Sequence, residues 1–67
     1  MNMTKEEKVL LRQQAIEENE QRIAHLEAFL EGFPLDTDMN KAVALELGTA
    51  IGFIEQDTEK LRKIVIS

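Results

Sequence analysis

A chain of 67 residues with no cysteine and one histidine cannot be stiffened by disulfides, thiolate zinc or a histidine cluster. A single domain of this size lies near the limit of independent stability, so self-association is the remedy left to expect. The 8 basic and 13 acidic residues divide as 4 and 7 up to Phe33 and 4 and 6 beyond it, which argues against non-specific binding to a phosphate backbone.

A net charge of −5 ordinarily serves to keep a small protein in solution. A bolder reading of the same charge is an acidic mimic of nucleic acid that occupies a nucleic-acid-binding protein.

From the amino terminus, MNMTKEEKVLLRQQ lacks the apolar core of a signal peptide. The longest apolar-leaning run, AVALELGTAIGFI, contains Glu46 and is too short to cross a bilayer. The expected compartment is cytoplasmic, including the host cytoplasm of a phage-infected cell, with no membrane partner.

Thr4 followed by Glu7 is a capping-box pattern that starts a helix. Val9, Ile16, Ile23, Leu26 and Leu30 then recur at helical spacing, with Ala15 beside them, as one packed face. Gly32 and Pro34 stop this helix, predicted over 4–32. Within its stripe Arg12 and Asn19 stand one heptad apart. They read as a register device that trades stability for alignment or, more sharply, as the lining of a pocket where Arg12 meets an anion.

His25 projects away from the stripe and reads as a surface residue, and Glu17, Glu18 and Glu20 as a solvated face. The pairs Glu27/Glu31 and Glu55/Glu59 have metal-ligand spacing. A di-iron bundle needs Glu-x-x-His, and Arg22 occupies the position three before His25, so no metal is expected.

Asp36, Thr37 and Asp38 suit the start of a second helix, predicted over 37–63. Met39, Val43, Leu47, Ala50, Ile54 and Leu61 are expected on its packed face, with Lys60, Arg62 and Lys63 favoured at its carboxyl end. The short join predicts an all-α fold, an antiparallel two-helix hairpin. Phe33 and Leu35 are expected to plug its closed end, and Ile64 and Ile66 to lie beside Val9, Leu10 and Leu11 at the open one.

Leu45 and Phe53 fall away from the expected packed face, with Ala44, Gly48 and Gly52 between them at spacings of four. Each interior glycine costs about 1 kcal/mol relative to alanine, so the pair needs a reason. Close approach of something to the backbone supplies one. Ala44, Leu45, Gly48, Gly52 and Phe53 are therefore the expected oligomer or partner interface, with a four-helix bundle of two hairpins as the simplest assembly.

Catalytic constellations are missing: there is no cysteine, no histidine beside a plausible nucleophile and no phosphate loop, so an enzyme is not expected. Helix two is neither short nor basic, as a DNA-reading recognition helix would be, so direct DNA binding is not expected.

In MNKAVALELGTAIGFIEQ, residues 39 to 56, the trio Leu47, Ala50 and Phe53 resembles the second-helix signature of small phage helical-hairpin proteins that sequester cyclic oligonucleotide signals. The resemblance implies a homo-oligomeric anti-defence sponge with sites between subunits. It would place Lys41, Phe53 and a neighbouring subunit's Arg12 near a cyclic nucleotide. Gly48, Thr49 and Ile51 replace the acidic-then-basic middle of that signature, and Phe53 its tryptophan. The bacterial sporulation-phosphatase hairpins are similar in size, but ALELGTA stands where their Ser-Gln-Glu-Leu-Asp core would be.

Two readings of function from different classes follow. One is a non-enzymatic homo-oligomer that works by binding another protein, as a small regulator or phage accessory factor. The other is a nucleotide sponge whose expected pocket residues are Arg12, Asn19, Lys41 and Phe53.

Overall fold

Thr4 opens the first helix as its spacing to Glu7 predicts. Its hydroxyl accepts the Glu7 N–H at 3.1 Å, while the Glu7 carboxylate accepts the Thr4 N–H at 3.2 Å. The computed structural model describes residues 2–67 and contains α1 (Lys5–Glu31) and α2 (Asp38–Lys63). α1 ends where Pro34 removes the next backbone donor, and the Phe33 N–H closes the final turn on the Leu30 carbonyl at 3.1 Å. Gly32 does not use a left-handed backbone here, since its φ is −104°. Thr37 then caps α2 by accepting the Asn40 N–H at 3.1 Å.

The helices pack against each other as an antiparallel hairpin. Arg12 Nη1 donates to the Ile64 carbonyl at 2.8 Å, and Lys8 Nζ to the Ser67 carbonyl at 3.3 Å. These bonds tie the segment after α2 back to the first turns of α1. Ile64 is extended, with φ −64° and ψ 127°, and Ile66 is half-buried. The tail therefore turns back onto Lys8 and Arg12, while Val9, Leu10 and Leu11, its expected neighbours, are exposed.

At the closed end Phe33 is half-buried, with its ring centroid 5.2 Å from that of Phe29. Leu35 is exposed and plugs nothing. It follows Pro34 in the loop, and more than half of its surface is left to solvent.

The seam in α1 is Arg12, Ile16, Asn19, Ile23, Leu26 and Leu30, all buried or half-buried. Val9, expected on it, is exposed. In α2 the seam runs Asn40, Ala44, Leu47, Ile51, Ile54, Thr58 and Leu61. Met39 (76% exposed) and Val43 (36%) lie outside it, contrary to their expected place on the packed face. Both seams step by alternating threes and fours, the 3.5-residue repeat of helices that stay in contact along their length.

Very little is deeply buried. Ile16 is the one hydrophobic side chain in that class among the described residues, and Thr58 the one polar residue. Thr58 satisfies its hydroxyl within its own helix by donating to the Ile54 carbonyl at 2.8 Å. No helix among the described residues is long and apolar enough to cross a membrane.

Candidate functional site

The hairpin is a slab two helices wide, with extents of 52 × 19 × 15 Å, and its two broad sides differ in chemistry. On one side Arg62 Nη2 lies 3.7 Å from Glu20 Oε1 across the helix pair, and Arg62 Nη1 lies 3.3 Å from Glu59 within α2. Gln13, Glu20, Glu55, Glu59 and Arg62 line the groove between the helices there. Since these ionic side chains are about half exposed, the pairs add well under 1 kcal/mol each. Their value here is geometric, because they mark which flank of each helix faces which way.

At about 100° per residue, Leu11, Ala15, Arg22 and Phe29 lie on the flank of α1 away from Glu20. Met39, Val43, Ala50 and Asp57 lie on the flank of α2 away from Glu55 and Glu59. Leu11, Phe29 and Met39 are more than half exposed. One broad side is therefore lined by ion-paired charges, and the other carries these apolar side chains with Glu18, Arg22, Glu46 and Asp57 among them, Arg22 and Asp57 near its middle.

The five residues expected at an interface are distributed unevenly. Leu45 (74% exposed) and Phe53 (63%) stand free on the outside of α2 and, with Glu46, Leu47, Thr49 and Ala50, line a shallow apolar groove. Gly48 is exposed and Gly52 half-buried, and a Cβ built on either meets nothing within 4 Å. Ala44 sits in the seam toward α1. Within one chain, then, nothing approaches the glycine backbone closely.

This openness makes Gly48→Ala a clean measurement. The hairpin is expected to gain about 1 kcal/mol, because alanine removes the helix penalty of glycine and meets no neighbour. Thermal unfolding followed by circular dichroism should show a melting temperature several degrees higher. A lower one would mean that something fills the space beside Gly48.

The four residues of the expected ligand pocket are spread along the hairpin. Arg12 is engaged with the Ile64 carbonyl at the open end, Asn19 is half-buried in the seam, and Lys41 lies in the first turn of α2, near the closed end. Lys41 and Phe53 are twelve residues apart on one helix, about 18 Å at its rise. A single chain does not bring them together. No family model matches the chain, and neither a curated protein nor a solved structure matches it.

Two features escaped the sequence reading. Among the described residues Thr58 is the most buried polar one, and its signal was its place in the run Ala44, Leu47, Ile51, Ile54, Thr58 and Leu61. The apolar broad side mixes residues from both helices, and no single-helix pattern displays it.

Proposed function

We propose that this protein acts by binding rather than by catalysis, as a homo-oligomeric helical hairpin that engages another protein in the manner of a small regulator or phage accessory factor. The observation that carries the reading is the amount of surface left uncovered. The chain exposes 5470 Å², whereas a compact protein of 7.7 kDa exposes roughly 4,300 Å². Its radius of gyration is 16.1 Å, against roughly 11 Å for a compact domain of this length.

An excess of roughly 1,100 Å² exceeds the approximately 800 Å² that each partner contributes to a standard interface. Met39, Leu45, Phe53 and Val65 are each more than 60% exposed, and burying apolar surface is the dominant drive to associate. Among the described residues Ile16 is the one deeply buried hydrophobic side chain, and a neighbour would supply the rest of a core.

The test is the mass of the native protein purified from its own host. A multiple of the chain mass, with or without a second protein retained, supports the reading. A free 7.7 kDa chain carrying nothing contradicts it.

A further inference from the structure

We infer that two copies meet through the apolar broad side of the hairpin, α1 of one copy lying over α2 of the other, with both loops at the same end. This rests on the self-association proposed above and names the surface that performs it.

The occupant follows from shape and charge together. More of the exposed apolar side chains of this side lie toward the loop, Phe29 on α1 with Met39 and Val43 on α2, than at the open end, where Leu11 is their counterpart. Only a pairing with both loops at one end lays this half of one copy over the same half of the other along the full slab. With loops at opposite ends, the two apolar halves overlap only if the copies slide apart, which strands the remainder of each hairpin.

Charge selects the same arrangement. The bond from Arg12 to the Ile64 carbonyl fixes the antiparallel register and puts Arg22 of α1 within about one helical turn of the level of Asp57 on α2. A two-fold axis parallel to the helices stacks α1 over the partner's α2, so each Arg22 faces an Asp57 across the interface. Among the described residues neither takes part in an ion pair within its own chain. Opposite charges at matching levels set register and exclude wrong pairings.

The area also fits. The surface in excess of a compact fold is enough for one partner's share of a standard interface. The charged side, already spanned by Glu20 and Arg62, remains free to meet a different protein.

The experiment is a set of native masses and association constants for the wild-type protein, Phe29→Arg, Gly48→Leu, Arg22→Asp, Asp57→Arg and the double variant Arg22→Asp/Asp57→Arg. Helical circular dichroism would be recorded on each. Phe29 is exposed, so an arginine there should leave the helix intact while weakening association at least tenfold. Each single charge reversal should weaken it severalfold, and the double variant should recover most of the loss. Gly48→Leu, on the other flank, should leave the dimer in place.

A dimer that survives Phe29→Arg but dissociates in Gly48→Leu would overturn this surface and move the contact to the glycine edge of α2, leaving self-association standing. Failure of the double variant to recover would overturn the orientation. A monomeric wild type would instead remove the reading on which the inference rests.

Discussion

Ile16→Ala is expected to destabilise the fold by about 2–4 kcal/mol, the usual loss when a buried isoleucine is truncated and its site cannot collapse. Small domains hold only about 3–5 kcal/mol in total, so the variant should be substantially unfolded at ordinary temperature. Ile16 is 7% exposed, the most deeply buried hydrophobic side chain among the described residues. Leu10 is a control of similar size on the same helix, and at 58% exposure its truncation should change stability by no more than about 0.5 kcal/mol. Urea unfolding followed by circular dichroism separates the two. Equal losses at both positions would mean that Ile16 does not centre the core.

The second large effect concerns dilution. If folding and assembly are coupled, lowering the protein concentration tenfold costs the dimer about 1.4 kcal/mol, or roughly 0.7 per chain, by mass action. For a domain of this length that lowers the melting temperature by roughly 3–6 °C. A hundredfold dilution should therefore shift the transition by roughly 6–12 °C. Scanning calorimetry at high concentration and circular dichroism at low concentration cover the range. A melting temperature that ignores concentration would mean that a single hairpin holds itself together.

What could be read from the sequence was what local chemistry controls. Thr4 with Glu7, Pro34 after Gly32 and Thr37 before α2 each act on their own backbone within a few residues. The capping bonds and helix limits follow directly from them. That the tail returns to the start of α1 was legible for a similar reason, since the loop is short, but its partners there are Lys8 and Arg12 and not the apolar run Val9, Leu10 and Leu11.

The contact face of α2 was harder to read because its polarity misleads. Asn40 and Thr58 belong to the seam and look like surface residues, while Met39 and Val43 look like core and face outward. A 3.6-residue repeat accommodates Met39, Val43 and Leu47 by drifting around the helix, whereas the packed pair keeps the 3.5-residue step through Ala44 and Ile51. Thr58 can occupy the seam because it supplies its hydroxyl with a partner one turn back.

The candidate surface was less legible still. The spacing of Ala44, Gly48 and Gly52 pointed to one edge of α2 as the place where a partner comes close, and within one chain the space beside both glycines is open. The apolar side becomes visible only once the helices are set side by side and the Glu20–Arg62 contact shows which flanks share a face. Arg12, read both as a register device and as an anion contact, spends its guanidinium on the Ile64 carbonyl. That bond locks the two ends of the hairpin in register.

On the function proposed above, this hairpin is one part of a larger helical assembly. Light scattering coupled to size exclusion, run from about micromolar concentration upward, tests it most directly. The account predicts twice the 7.7 kDa chain mass at the higher concentrations, falling toward one on dilution. A constant single-chain mass across the whole range would contradict it.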